Sequence, residues 1–428
     1  MFNSENAQKK WAPLLDHADC APIQDSYRRA VTAVLLENQE KAMVEAKAHQ
    51  SFAINEANET VAGNVEKFDP VLIAMIRRAM PSLIAYDVCG VQPMSGPTGL
   101  IFAMKALYKN TTKDGLSIDE GDSAEAFANS PAPLTGFSGV GAEAAGSLDG
   151  SAGDGYLTSE GESLTDSAAS GATEIGKMGF EITKATVTAR TRALKAGYTM
   201  ELAQDLKAIH GLDAESELAN ILSTEVLAEI NREIIGKIRS NAKTHTQITA
   251  GSEFDLNTSA DVMGARWGQE KFQALVYRIE QAANKIGQET RRGKGNYVIV
   301  SPNVGSALAA SGNLNYSDAL TSTGLNIDTV GNTFAGTLNG SIKVYIDPYQ
   351  TSEEVIVGYR GSNPYDAGIF YCPYVPLTMV KAVGEDDFQP RIAFKTRYGL
   401  QDNPLHSTAA GTAANNPYFR KFTVANLT

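Results

Sequence analysis

The sequence predicts an α+β protein, and three observations carry this prediction. Apolar residues recur at every fourth position over residues 213–240, which is the spacing of one face of a long helix. Short β-branched and aromatic runs, such as NYVIVS (296–301) and EEVIVGYR (353–360), predict strands. Helices and strands do not alternate regularly along the chain, which favours α+β over a doubly wound sheet.

The first predicted helix covers residues 25–50. Asp25 can cap its start, and Ala, Leu, Glu and Lys fill it. Its apolar stripe is only partial, so we expect this helix to need a partner surface.

Further helices are predicted in the middle of the chain. Leu202, Leu206 and Ile209 share one helical face, and His210-Gly211 interrupts that pattern. Asp213 is the predicted N-cap of the long helix. The stripe of that helix is Leu218, Leu222, Val226, Ile230, Ile234 and Ile238, widened by Ile221, Leu227 and Ile235. A last helix is predicted at about 266–290.

The remaining elements are short. Further strands are predicted at IKVYID (342–347), GIFYCPYV (368–375) and RIAFKTRYG (391–399). Residues 71–109 alternate apolar runs with Pro and Gly, which indicates turns between short elements of an extended arm.

The net charge of −12 is concentrated in one segment. Residues 111–176 hold twelve acidic residues and twelve glycines against one basic residue, Lys113. The segment is either a loop-rich inserted module or partly disordered. The rest of the chain is nearly neutral, so it lacks the basic surface of a nucleic-acid reader.

Composition excludes several other classes of protein. No apolar run approaches the ~20 residues that span a bilayer, and the first residues contain no apolar secretion core. Cys20, Cys89 and Cys372 are far apart and odd in number, so we expect neither disulfides nor a metal site. This use of cysteine predicts a reducing compartment.

No pattern of residues predicts catalysis or cofactor binding. GQETRRGKGN (287–296) has one residue too many for a phosphate loop, and Gly295 replaces its Ser/Thr. The five histidines lack i, i+4 pairs and cysteine neighbours. We therefore expect no catalytic residues, no cofactor-binding residues and no metal ligands. The sequence favours a structural or assembly protein over an enzyme.

Several stretches resemble the major capsid proteins of T-even-type (myovirus) phages. The most specific runs are VCGVQPMSGPTG (88–99) and LAQDLKAIHGLDAE (202–215). GARWGQEKFQALVYRIEQAANKIGQETRRGKGNYVIVS (264–301) and FQPRIAFKTRYGL (388–400) continue the resemblance in the order of the family.

The resemblance implies the Hong Kong 97-type capsid fold. It divides this chain into a helical scaffolding-like propeptide (1–56), an N-terminal arm (57–98), an extended loop with an acidic insertion domain (99–184), a peripheral domain with a spine helix (185–261), an axial domain (262–375) and a return into the peripheral domain (376–428).

The resemblance also implies a function and a processing site. The expected protein is the hexamer-forming subunit of a phage head that encloses double-stranded DNA. A prohead protease of this family prefers Ile or Leu, any residue, Glu and then a small residue. Ile54-Asn55-Glu56-Ala57 fits this preference, with the cut after Glu56. Leu35-Leu36-Glu37-Asn38 and Ile118-Asp119-Glu120-Gly121 also fit, but Glu56 lies just before the arm.

The implied partners are further copies of the chain, a vertex capsid protein, internal scaffold or core proteins, the prohead protease and, as an open class, decoration proteins. The implied location is the virion, assembled in the host cytoplasm, with no membrane span and no sequence-specific DNA binding. Two alternatives share the fold, namely the pentameric vertex protein of the same head and an encapsulin-like compartment shell.

Overall fold

The computed structural model describes residues 4–16, 23, 25–51, 83–108, 178–211, 214–245, 253–258, 262, 264–290, 292–315, 333–383, 389–403 and 416–427. The helices in these ranges are α1 (Ser4–Leu15), α2 (Ser26–Ser51), α3 (Ala85–Val88), α4 (Met200–His210), α5 (Ala214–Asn241), α6 (Gly268–Thr290) and α7 (Pro302–Ala310). The strands are β1 (Gly90–Val91), β2 (Thr98–Tyr108), β3 (Met178–Thr188), β4 (Arg190–Gly197), β5 (Ala242–Thr244), β6 (Glu253–Asp255), β7 (Tyr297–Val300), β8 (Leu314–Asn315), β9 (Thr333–Leu338), β10 (Ile342–Ile346), β11 (Glu354–Gly358), β12 (Ile369–Val383), β13 (Pro390–Asp402) and β14 (Asn416–Ala425).

A four-stranded sheet in the order β1-β12-β13-β4 forms one layer. β1 runs parallel to β12, and β13 is antiparallel to both of its neighbours. The long helix α5 packs against β4 and β13, while α2 packs against β12. One hydrophobic cluster therefore joins both helices, this sheet and the segment that begins at Leu83.

The predicted stripe of α5 explains how this helix packs. Its central positions Leu222, Val226, Ile230, Ile234 and Ile238 are buried, as are Leu227 and Ile235 at its margin. Ile221, which was expected to widen the stripe, is instead 63% exposed. The packing surface covers the centre of the stripe and one margin, and Ile221 lies on the other margin.

An eight-stranded sheet forms the second layer, in the order β5-β14-β11-β7-β10-β9-β8, with β6 pairing to β14. All four residues of β7 are buried because neighbouring side chains point to opposite, covered faces. Tyr297 and Ile299 contribute to the first hydrophobic cluster. Val298 and Val300 contribute to a second cluster, which the helices α6 and α7 complete.

Strands β2 and β3 form a separate two-stranded sheet, called the ribbon below. At its base, Ile101 and Val187 join a small cluster with Phe370. A Cβ atom on Gly399 would lie 2.3 Å from Val187 Cγ1, so this close approach of the ribbon to β13 requires glycine. Residues 109–177 connect the two strands and lie outside the described residues, as does the acidic segment 111–176.

The predicted fold class is confirmed. The helices predicted at 25–50, 213–240 and 266–290 are present as α2, α5 and α6, and all five predicted strand runs form strands. The spine helix and the extended two-stranded loop of the Hong Kong 97-type architecture are α5 and the ribbon. Asp213 lies outside the described residues.

The domain boundaries stay a prediction. One strand pairing links two of the predicted domains. Strand β14 was expected in the peripheral domain, and it pairs with β11 inside the eight-stranded sheet.

Candidate functional site: the N-terminal hairpin and the exposed apolar faces

The helices α1 and α2 form an antiparallel pair, called the N-terminal hairpin below. Arg29 at the start of α2 pairs with Asp16 just after α1, at 2.8 Å. Farther along, Lys10 of α1 pairs with Glu40 of α2. The start of α2 is capped as predicted, because the Tyr27 N–H donates to Asp25 Oδ1 at 2.9 Å.

The hairpin buries its apolar face against the rest of the chain. Leu35 and Leu36 of α2 are 0% and 1% exposed, and they belong to the same cluster as Tyr86, Tyr371 and Leu377. The prediction that α2 needs a partner surface is thus confirmed, since α1 and β12 cover its stripe.

Polar contacts fix the position of α2 on that surface. The Asn38 amide is buried, and it donates to the Met94 carbonyl at 2.8 Å and to the Tyr374 carbonyl at 3.1 Å. The Tyr27 hydroxyl donates to the Val91 carbonyl. Burial raises the pKa of Tyr27 to about 12, so the hydroxyl keeps its proton at neutral pH.

An ion pair completes these contacts. Arg28 binds Asp87, and its guanidinium lies 5.6 Å from the centre of the Tyr86 ring. The apolar stripe of α2 was predicted from the sequence, whereas the contacts of Asn38, Tyr27 and Arg28 were not. The available signal was an amide two residues after the Leu35-Leu36 pair, since a polar side chain beside a buried stripe requires a partner.

The predicted cleavage residues Ile54, Glu56 and Ala57 lie outside the described residues. The structure describes the chain on both sides of them, where α2 ends at Ser51 and the chain resumes at Leu83. Leu83 and the buried part of α2 belong to one cluster, so both flanks of the predicted cut are anchored to the same core.

Two other regions carry apolar faces that no described residue covers. On the ribbon, Leu100, Phe102 and Ile182 are 54%, 54% and 60% exposed, and the strand register places them on one face. On α4, Leu202 and Ile209 are 51% and 75% exposed, and this helix has no buried residue. Exposed apolar faces of this kind mark protein–protein contacts.

Capping contacts define both ends of helix α4, which has no fully buried residue. The Thr199 side chain accepts from the Leu202 N–H at 3.2 Å and caps the start. Gly211 adopts φ +68° and ends the helix in the left-handed conformation that glycine tolerates best. The predicted shared face of Leu202, Leu206 and Ile209 is thus present, with Leu202 and Ile209 exposed and Leu206 half-buried.

A metal site or a reactive thiol would draw on the acidic, histidine and cysteine side chains of the described residues. No group of three or more His, Cys, Asp or Glu side chains in this part of the chain could hold a metal ion. Burial raises the pKa of Cys89 and of Cys372 to about 12, which keeps both thiols protonated. Among the described helices, none is long and apolar enough to cross a membrane.

Comparison with known proteins identifies the relatives of this chain. The major capsid protein of Salmonella phage ViI is 39% identical and covers 99% of this chain and 98% of its own length. The major capsid protein of Enterobacteria phage T4 is 35% identical, with 98% of each chain covered. The capsid vertex protein of the same phage is 28% identical over 54% of each chain.

A solved structure described as the capsid of Myoviridae phage XM1 is 11% identical and has a TM-score of 0.38. It covers 80% of this chain and 92% of its own. A family model described as major capsid protein Gp23 matches residues 65–424, which is most of the chain. With that match and the nearly full-length relatives, the chain belongs to the Gp23 major capsid protein family.

Proposed function

We propose that this chain is the hexamer-forming major capsid protein of a tailed myovirus, and that its copies build the head around double-stranded DNA. The observation that carries the proposal is the sequence identity of 39% and 35% to two major capsid proteins, which extends over nearly the full length of the chain. The vertex protein is a weaker alternative, because its similarity extends over about half of the chain.

The uncovered apolar faces support self-association. A two-stranded ribbon is marginally stable alone, and a short helix without a fully buried residue gains little from packing within its own subunit. Both faces become buried if the ribbon of one copy lies on α4 of the next. Such a contact joins two different surfaces, and contacts of this type build a ring when the rotation between copies closes on itself, as a hexamer requires.

Charge complementarity favours this pairing. The exposed Lys184 lies opposite Phe102 on the ribbon. On α4, Glu201 and Asp205 are exposed beside the stripe of Leu202 and Ile209. Lys184 and the two carboxylates form no ion pair with any described residue of their own chain, so they are available to pair between copies.

Electron microscopy and native mass spectrometry of the purified protein test the proposal. We expect hexameric capsomers or shells for the natural chain, and unassembled folded subunits for Phe102→Asp and Ile209→Asp. Ser306→Asp is the control, because Ser306 is exposed on α7 away from both faces. Pentamers alone would favour the vertex protein, and shells loaded with an enzyme would favour an encapsulin-like compartment.

The pairing itself is tested by exchanging charges. Lys184→Glu or Asp205→Lys alone is expected to weaken assembly, and the two together are expected to restore it. Assembly that the double substitution leaves as weak as either single substitution would contradict the proposed contact.

Maturation is the second part of the proposal. We infer that residues 1–56 are removed after Glu56 by a prohead protease, within a shell assembled on scaffold or core proteins in the host cytoplasm. The burial of Leu35 and Leu36 supports Glu56 over Glu37, because a protease cannot bind a segment that is helical and packed. Intact-mass and N-terminal analysis of DNA-filled particles should find Ala57 first, and a chain that starts at Met1 would refute the cut.

The proposed role of the chain is structural. The described residues hold no cluster of side chains that could bind a metal ion. The proposed partners are further copies of the chain, a vertex protein and, as an open class, decoration proteins. A hydrolase screen on assembled particles is expected to give no turnover above a particle-free control.

A further inference from the structure

We propose that the body of the protein, residues 57–428, contains a binding site for an amphipathic helical hairpin, and that residues 1–56 stay bound there after the chain is cut. Release of the N-terminal segment is then a second step, separate from cleavage. This inference rests on the proposed removal of residues 1–56, and it adds how that removal is controlled.

The binding site, called the hairpin seat below, is formed by Tyr86, Asp87, Val91, Met94 and Tyr374. The contacts described between the hairpin and the seat are non-covalent, and on the hairpin side they involve residues between Ser4 and Ser51. The predicted cut lies C-terminal to all of these residues. Cutting the backbone after Glu56 would therefore leave each of the described contacts intact.

The contact with the seat resembles the interior of a folded domain. Val31, Leu35 and Leu36 are at most 3% exposed, and they share one cluster with residues from both sheets. Burial of this kind is the main favourable contribution to folding and to association. A peptide that contributes to a core in this way keeps binding when the covalent link is lost.

The polar contacts make the site selective. Asn38 satisfies two carbonyls, Arg28 binds Asp87, and Tyr27 binds the Val91 carbonyl. Because these donors lie at fixed positions along α2, all of them reach their acceptors only when the helix binds in one position along its axis. The ligand that the site recognises is therefore a hairpin with this donor pattern, rather than any apolar helix.

Two features keep the binding of the hairpin reversible. The Gln39 amide is 1% exposed, and neither its oxygen nor its nitrogen has a hydrogen-bond partner among the described residues. A buried amide without partners opposes binding. In addition, α1 has 12 residues, a length at which an isolated helix is marginal in water, so this half of the hairpin must be ordered by its packing partners. Both effects limit the affinity and permit release.

The test uses the full chain with residues 52–58 replaced by the recognition site of a sequence-specific protease. After complete cutting of unassembled subunits at about 10 µM, size exclusion and native mass spectrometry report whether the peptide stays with the body. We expect a one-to-one complex of peptide and body. A folded body that elutes without the peptide would overturn the inference.

Variants of α2 identify the contacts responsible. Leu36→Ala is expected to weaken peptide retention by at least about 30-fold, since a buried leucine is truncated. Asn38→Ala should weaken it by about 10-fold, because two buried carbonyls lose their donor. Gln39→Leu should strengthen it, since it removes the unsatisfied amide. Lys41→Ala is the matched control on the exposed side of α2, at 65% side-chain exposure.

The outcomes separate this inference from the proposed function. The engineered cut does not involve a phage protease, so the retention result stands whether or not Glu56 is the natural site. If Leu36→Ala fails to fold, Asn38→Ala and Gln39→Leu still decide the matter, because they change retention in opposite directions. Equal retention in all four variants would overturn the assignment of the seat.

Discussion

The N-terminal hairpin and helix α4 both carry an apolar stripe, yet the structure covers one stripe and leaves the other in solvent. Leu35 of α2 is 0% exposed, whereas Leu202 and Ile209 of α4 are 51% and 75% exposed. Within one subunit the hairpin behaves as part of the core, while α4 and the ribbon behave as surfaces prepared for other copies. The difference separates contacts that a chain makes with itself from those that it makes in a shell.

The largest effect is expected from truncating the covered stripe. Leu35→Ala in the unassembled subunit should lower the free energy of unfolding by about 2–5 kcal/mol, because a buried leucine is lost and a cavity remains. Urea denaturation followed by circular dichroism measures this change. Leu202→Ala, the matched leucine on α4, should change the same quantity by less than about 0.5 kcal/mol. Equal losses would contradict the comparison.

Low pH should reduce the free energy of unfolding through His245, a residue outside both apolar stripes. His245 follows β5, is fully buried, and lies against Phe422 with the ring centres 6.2 Å apart. Burial, assisted by the nearby cations Arg420, Arg278 and Lys285 and opposed by Glu289, lowers the pKa of His245 from 6.5 to about 4.

Because this folded-state pKa lies below the unfolded value, the unfolded chain binds more protons between pH 4 and 6.5. Stability from this residue is therefore complete above about pH 6.5 and falls as the pH drops towards 4, by up to about 3 kcal/mol. Unfolding free energies measured across this range should show the loss, and His245→Phe should reduce it. An unchanged pH profile in the variant would exclude His245 as the cause.

A smaller effect is expected from the polar contacts of the hairpin. Asn38→Ala should lower the unfolding free energy of the subunit by about 1–3 kcal/mol, since the Met94 and Tyr374 carbonyls lose their donor. Hydrogen exchange should show faster opening of α2 in this variant, with α5 unchanged. If exchange increased equally in both helices, the amide would act on the whole core rather than on docking.

The smallest effect is expected on the outer side of α2. Lys41 pairs with Glu37 at 3.4 Å, with side-chain exposures of 65% and 36%. Lys41→Ala should change stability by about 0.3–0.5 kcal/mol at most, because exposed pairs one turn apart contribute little. Thermal denaturation at low and high salt checks this, and a loss as large as that of Asn38→Ala would mean that the outer side of α2 is also in contact.

The sequence alone determined four of the helices, five of the strands and the class of the protein. The spacing of Leu222, Val226, Ile230, Ile234 and Ile238 predicted the long helix, and the β-branched runs predicted the strands. These predictions succeeded because periodicity is a local property of the chain. The resemblance to a capsid family also followed from the sequence, and the family match agrees with it.

Only the tertiary structure decided which stripes are covered. The sequence predicts a partial apolar stripe on α2 and a shared apolar face on α4, yet the weaker stripe, that of α2, is the buried one. Covering α2 depends on residues remote in the chain, since Asn38 binds a carbonyl 336 residues away. Whether a stripe meets a partner within its own subunit depends on how distant segments fold together, and local spacing does not contain that information.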